Sequence, residues 1–578
     1  MKIFSFNQAF PTKGMITFSM SVLFLGVCSG QVSQDEVMKN ARALHHERPE
    51  GEYIPSDPAT RETSPAYKFF STGFSVVQAN VDNNGNNILN DAANEPSIAF
   101  NAQDPDQIAI GWRQFDNINN SFRQAGYAFS TDAGETWTFP GVIDPGVFRS
   151  DPVLGYDRNG NLFYNSLTAQ DDQYWTNTYK STDGGETWEM GTFAQGGDKQ
   201  WMSIDRTSGI GEGNIYEFWN GYYSVCSPYN FTRSTDGNES YENCSTIPGD
   251  PYWGTTCVGP DGAVYMCGSY WAGGFMVAKS SNAQDPDDGV IWEQTVQVNL
   301  AGENSSNNWN SPNPGGLLGQ AIIALDSTGG DFDGNLYLLC SVERNNTSDP
   351  RDVMFSRSTD GGWTWSAPVR INDDLGNNAY QWFGTMSVAP DGRIDVVWLD
   401  TRNNLGSVNS ALYYSYSLDG GVTWTPNEQL SEIFNPHVGW PQQNKMGDYF
   451  DMYSDEEGAH LAWAATFNNE QDVYYSVITP DYIGVDEKYG ITGITLLQNY
   501  PNPFKGSTTI RYNLTDNTQV ALQIFTTDGR EIATLVDGYE QAGSHQVSFD
   551  AVNLKNGVYL YKLTTDKSSI TKRFTLIN

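Results

Sequence analysis

Basic side chains are scarce in this sequence: 32 Lys and Arg stand against 69 Asp and Glu, a formal charge of −37 over 578 residues. A field of that sign repels phosphate backbones and argues against nucleic acid as a partner. It also disfavours polyanionic glycans unless basic residues gather locally, and it suits solubility in a salty medium. Histidine is rarer still, with five copies. Only His437 and His460 fall in the central body, which argues against a His-rich metal centre or His-based elimination chemistry. The stretch DNNGNNILND (82–91) lacks the spacing of a full calcium loop and reads as an Asn/Asp-rich turn, so neither metal nor cofactor is expected. No long 3.6-period apolar segment appears after residue 50, which excludes helical bundles.

What the chain does have is aromatic residues and glycine: 31 Tyr, 17 Trp and 57 Gly. That mixture suits short strands joined by tight turns, and the expected class is all-β. Residues 1–30 have the layout of a secretory signal peptide, with Lys2 and Lys13, the apolar run MITFSMSVLFLGV, then small residues to Gly30. Its apolar core is too short for a membrane anchor, so no transmembrane segment is expected in the mature chain. Cleavage leaves five cysteines in an oxidising compartment. Cys257 and Cys267 flank the turn GPDG and are expected to face each other across a hairpin, and Cys226 with Cys244 is the other plausible couple.

Internal repeats carry the architecture. STDAGETW (130–137), STDGGETW (181–188), STDGGWTW (358–365) and SLDGGVTW (417–424) are copies of one pattern, STDGNESY (234–241) is a decayed copy, and another begins at Ser280. The Asp can accept backbone N–H bonds across a tight turn in which Gly supplies a positive φ, and the Trp can pack between neighbouring sheets. The pattern is identified as the Asp-box (BNR repeat) of sialidase-like and other extracellular propellers. It holds a turn and does no chemistry. Seven hairpins of matching design imply a seven-bladed β-propeller over 73–480, with blades near 94–145, 150–195, 198–248, 252–300, 315–373, 380–432 and 437–480. The last unit lacks a fourth strand, and GFSVVQANV (73–81) is expected to supply it and close the ring. Residues 31–72 read as an N-terminal arm.

After a polar linker (481–490), residues 491–578 change character. NYPNPF, the TDGREI turn and GVYLYKL resemble the C-terminal sorting domain of type IX secretion cargo in the Bacteroidetes group. Alternating apolar residues there describe a small β-sandwich. The resemblance implies handling by the type IX machinery, removal of the domain, and release or attachment at the outer cell surface.

Propeller geometry gathers the starts of the inner strands and the loops after the second strands around an axial funnel. Arg113, Arg123, Arg149, Arg344 and Arg402 are expected at that mouth, where guanidinium groups could bind a carboxylate or sulfate; alternatively each pairs with a nearby acid such as Asp151 or Asp400. Trp201, Trp253 and Trp382 stand there either as sugar-stacking faces or as filling. Glycoside cleavage needs two carboxylates, or a Tyr nucleophile with an acid, and Glu95, Asp151, Asp448 and Tyr449 are the candidates, with Asp451 as a support for Tyr449. The propeller resembles sialidase-family proteins, yet Asn94 stands where their Phe-Arg-Ile-Pro arginine would be, which speaks against true exo-sialidase action. The expected function is a secreted or surface glycoside hydrolase acting on extracellular carbohydrate, either neutral or anionic. The alternative is a non-catalytic propeller that binds glycan or protein.

Overall fold

The computed structural model describes residues 45–576 except 56–59, 306–309, 346, 377, 481–493 and scattered short gaps between 497 and 568. The expected signal peptide and the linker lie outside the described residues. Seven antiparallel sheets follow one another along 92–478. Their inner strands are Ala92–Asn101, Ser150–Tyr156, Trp201–Ile204, Thr256–Val258, Ile322–Leu325, Gln381–Val388 and Asp451–Ser454. Each inner strand contacts the next in that order, and the seventh contacts the first, so the sheets form a ring.

The ring closes as the hairpin pattern implies. Phe74–Gln78 pairs antiparallel with Asp472–Ile478, in the register Phe74 to Ile478, and Lys68–Ser71 adds a further strand outside it. The seventh sheet therefore combines strands from both ends of the propeller, and no open edge remains between sheets seven and one. The core is divided into seams. Leu154, Leu162, Tyr127 and Ala109 pack sheet one on sheet two, while Leu339, Phe355, Val396 and Trp398 pack five on six. Each sheet buries its faces against two neighbours, which makes every seam depend on the next.

The Asp-box turns repeat one hydrogen-bond pattern. Ser130 Oγ lies 2.7 Å from Asp132 Oδ1, Asp132 Oδ1 accepts from Thr136 N at 2.9 Å, and Asp132 Oδ2 accepts from Thr136 Oγ1 at 2.7 Å. Asp183, Asp360 and Asp419 do the same, and Asp236 binds Ser240 in the decayed copy. The box tryptophans then cover ring edges across a seam: Trp137 meets Tyr475 at 5.3 Å, Trp188 meets Tyr127 at 5.9 Å, and Trp424 meets Phe355 at 5.0 Å. Asp82 accepts from the backbone of Asn84 and Asn86, both at 2.8 Å, which makes 82–86 a polar turn.

Cys226 and Cys244 are disulfide-bonded. Cys257 and Cys267 are not, contrary to the expectation from the GPDG turn. Cys257 sits opposite Tyr265, while Cys267 lies two residues further up the second strand with its thiol against the Ala321 carbonyl. The hairpin is one pair of residues too long for the thiols to meet.

The C-terminal module is a sandwich of a three-stranded and a four-stranded antiparallel sheet. Ile510, Leu522, Ile524, Tyr561, Leu563 and Phe574 fill its core. Within the NYPNPF segment, buried Asn499 donates its amide N–H to Tyr561 Oη at 2.9 Å and its side chain to Thr508 Oγ1 at 2.9 Å, tying the start of the module to both sheets.

Candidate functional site

The inner strands begin with a kink that recurs around the ring. Glu95, Asp151, Lys199, Trp253 and Phe383 have φ of 51°, 46°, 55°, 54° and 56°, and Gly447 takes 90° at the matching place in sheet seven. Registers shift at these points in sheets one, two and six, as a bulge requires. Non-glycine residues with positive φ are strained, and such strain persists where the surroundings over-determine it. Gly447 is required for a second reason: a Cβ there would stand 2.5 Å from Glu95 Cγ.

Sheets one to three place an acid, an acid and a lysine at the kink, and these side chains meet in one buried cluster. Lys199 Nζ lies 3.1 Å from Asp151 Oδ2 and 2.6 Å from Asp448 Oδ2. Lys445 Nζ lies 2.9 Å from Asp448 Oδ2 and 3.5 Å from Glu95 Oε1. Arg113 Nε lies 3.2 Å from Glu95 Oε2 and donates to Asn94 Oδ1 at 2.8 Å. Asp448 is held in turn by the Leu317 amide at 2.8 Å.

The centre of the cluster is a residue from the arm. Glu47 Oε1 faces Arg113 Nη1 at 3.1 Å, Lys199 Nζ at 3.1 Å, and Lys445 Nζ, while Oε2 pairs with Arg123. Its backbone is clamped as well: Glu47 N donates to Asp198 Oδ1 at 2.7 Å, and Tyr174 Oη donates to the Glu47 carbonyl at 2.8 Å. His45 on one side reaches Asp448 Oδ2 at 3.1 Å, and His46 on the other stacks on Tyr223 at 4.0 Å. Glu47 is only 2% exposed.

The protonation states are set apart. Burial would raise the Glu47 carboxyl, but Lys199, Lys445 and two guanidinium groups outweigh it and hold it well below the usual range. Asp448 is likewise held well below by Lys199, Lys445 and His45 in spite of its burial. Glu95 goes the other way: burial pushes its carboxyl well above the usual range, more than Arg113 can offset. Neither Glu95 oxygen accepts an aligned hydrogen bond, and Arg113 Nη2 also has no hydrogen-bond partner. The ligating atoms of His45, Glu47 and Asp448, and of Glu47, Glu95 and Asp151, each lie within 4.8 Å of one another, as a cation site would require. Lysine ammonium groups already stand among these oxygens.

Of the residues singled out in the sequence, Glu95, Asp151, Asp448, Arg113 and Arg123 meet in this cluster. The others do not. Tyr449 donates its hydroxyl to the Pro152 carbonyl at 2.7 Å and packs edge-on against Trp201 at 5.3 Å, so it serves the sheet two to seven contact and is not a free nucleophile. Asp451 accepts from Ser97 Oγ at 2.6 Å and Ile98 N at 3.2 Å, holding sheet one and not Tyr449. Arg149 pairs with Asp144 at 3.0 Å, and Arg344 with Asp352 at 2.9 Å. Arg402 pairs with Asp400 at 2.8 Å and Asp373 at 2.6 Å, while Asp400 also takes the Trp398 indole N–H. Each of these three arginines has a local acid as its ion-pair partner.

The three tryptophans are not equivalent, because the kink shifts the register. Trp253 occupies the kink itself, Trp201 follows one by two residues, and Trp382 precedes one. All three are buried, and Trp382 is spent on Ser410 Oγ at 3.1 Å in the seam of sheets six and seven. None offers an open stacking face.

Sequence reasoning missed His45, Glu47, Lys199 and Lys445. Lys199 was visible as a lysine at the start of an inner strand in a lysine-poor chain. Nothing in the arm's sequence marks Glu47, since its role arises only where the arm crosses the ring.

Residues 498–577 match the secretion system C-terminal sorting domain, and residues 179–190 match the BNR/Asp-box repeat. No curated protein matches the chain. Solved structures that resemble it include a protein of unknown function from Dyadobacter fermentans, 13% identical with TM-score 0.41, covering 70% of this chain and 99% of that one. A GH93 α-L-arabinofuranosidase of Fusarium graminearum is 12% identical with TM-score 0.26, covering 73% and 99%. A PL25 ulvan lyase is 11% identical with TM-score 0.32, covering 75% and 96%. Among the described residues no helix is long and apolar enough to cross a membrane. The sorting domain assigns the chain to type IX secretion, toward the cell surface or the extracellular space. The chain is a BNR/Asp-box repeat β-propeller that ends in a secretion-system C-terminal sorting domain.

Proposed function

We propose that the protein acts on extracellular carbohydrate at the axial cluster, as a glycoside hydrolase in which Glu95 donates a proton and a second carboxyl group, from Asp448 or Asp151, completes the pair. One observation carries this reading: two carboxyl groups in one buried cluster are driven to opposite protonation states, Glu95 up and Asp448 down. Acid and base assignments in enzymes follow that pattern, because each role needs a different charge at the same pH. Arg113 and Arg123 would hold an anionic group of the substrate.

The test is release of reducing sugar from a panel of plant, algal and animal glycans by the wild type, Glu95→Gln and Asp448→Asn. Loss of release in both variants, with the fold intact by circular dichroism, supports the assignment. No release by any form on any glycan overturns it. A non-catalytic binder is the second reading, and it draws on the closed state of the cluster, where Lys199 and Lys445 already neutralise the carboxylates.

A further inference from the structure

Four cations converge at the axis. Arg113, Lys199 and Lys445 reach Glu95, Asp151 and Asp448 of the ring, and buried Asp198 stands beside Lys199 with Oδ1 on the Glu47 amide, whereas the Arg123 ion pair is with Glu47. Without the arm, Arg123 loses that carboxylate and the other three cations lose a shared one in a buried place, which is costly unless another anion enters. The arm supplies the carboxylate as Glu47, reached by all four cations. The seat is nevertheless imperfect, since buried Arg113 Nη2 has no hydrogen-bond partner among the described residues.

We infer that Arg113, Arg123, Lys199 and Lys445 form a binding site for the carboxylate of an acidic ligand, such as a uronic-acid residue, and that Glu47 is an internal stand-in which must leave before the ligand binds. The arm is attached in a way that permits exchange. Besides the Glu47 side chain, contacts that hold residues 45–53 include His45 on Asp448 at 3.1 Å, Asp198 and Tyr174 on the Glu47 backbone, the His46–Tyr223 stack, the Arg123 bond to the Arg48 carbonyl at 3.1 Å, Asn120 on the Glu52 carbonyl at 2.7 Å, and Tyr53 against Phe122 at 5.4 Å. No strand pairing joins this segment to a sheet. A competing carboxylate therefore has to break side-chain contacts only, and no ladder. The inference holds whether the site cleaves its ligand or only binds it.

Glu47→Ala in the full chain tests this directly. Thermal unfolding is followed with acetate, propionate, acetamide and chloride at equal ionic strength. The variant is expected to melt lower than the wild type, to recover saturably with acetate and propionate, and to ignore acetamide; the wild type responds to none of them. Galacturonate oligomers should bind the variant at least about tenfold more tightly than the wild type, because a masked site carries a population penalty. A folded Glu47→Ala protein that treats carboxylates and acetamide alike overturns the inference. If Glu47→Ala does not fold, limited proteolysis of the wild type decides. Galacturonate oligomers should speed cleavage within 45–55, and an unchanged rate overturns the inference. Sugar release plays no part in these readouts, so failure of the hydrolase reading leaves them standing.

Discussion

Two sets of aspartates in this molecule teach opposite lessons about what repetition means. Asp132, Asp183, Asp360 and Asp419 recur at the same place in one motif, each bound by hydrogen bonds within its own turn. The Thr364 hydroxyl and amide lower the Asp360 carboxyl below its ordinary value, a local effect of one turn. Asp151 and Asp448 occur once each, lie at the axis, and draw their partners from sequence distances of 48 and 249 residues through Lys199. Repeated residues build the scaffold; the axial cluster is built from positions where the repeats differ.

The comparison breaks first at Lys199. Lys199→Ala leaves Glu47, Asp151 and Asp448 short of a shared cation, and a loss of about 3–5 kcal/mol is expected in denaturant unfolding. Asp132→Ala, which removes turn bonds near solvent, should cost only about 1–2 kcal/mol. Equal losses would erase the distinction between the Asp-box turns and the axis.

Next comes the pair of neutral isosteres. Asp448→Asn removes a carboxylate held well below its ordinary range and should cost about 2–3 kcal/mol, whereas Glu95→Gln replaces a carboxyl that burial pushes upward and should cost under about 1 kcal/mol. Denaturant midpoints at neutral pH check both.

The pH dependence sharpens the contrast. Glu47 and Asp448 are depressed in the folded state, so their stabilisation is complete above the ordinary carboxylate range and is lost as pH falls through their folded values. Glu217, buried and bound to Thr176 at 2.6 Å and Asn165 at 3.0 Å, is pushed up to about 8 by burial. The folded state then holds a proton that the unfolded chain releases near the ordinary value of 4.5, so stability falls as pH rises from there to about 8. Glu217→Gln should remove that slope, as read from unfolding midpoints across the window.

The smallest effect belongs to Arg402→Ala. Its partners are the partly exposed Asp373 and the neighbouring Asp400, so a loss of about 1 kcal/mol and no change in carboxylate binding by the Glu47→Ala background are expected.

The ring, its closure by 73–81 and the sorting module were legible because each rests on local pattern: alternation within strands, turn residues at fixed offsets, and a count of hairpins. Glu95, Asp151 and Asp448 were legible because an inner-strand start can be located from the hairpin that follows it. Between stacking faces and filling, the sequence left the tryptophans open: a one-residue bulge at Glu95, Asp151 and Phe383 re-aims every side chain around it, and no feature of QWFG or KQWM announces that shift. For Arg402 the sequence offered both an anion clamp and a pair with Asp400, and the structure shows the pair. Glu47 could not be found at all, since its partners come from four different sheets.

The strand at Phe74–Gln78 has a consequence for how the chain acquires its shape. Its partner, Asp472–Ile478, is synthesised some 400 residues later, so the last seam cannot zip until nearly the whole chain has emerged. Until then, two strand edges stand open and the axial charges lack their enclosure. Glu47 lies fewer than thirty residues upstream of that zipper, on the same tether, so completing the circle also delivers the carboxylate to its centre.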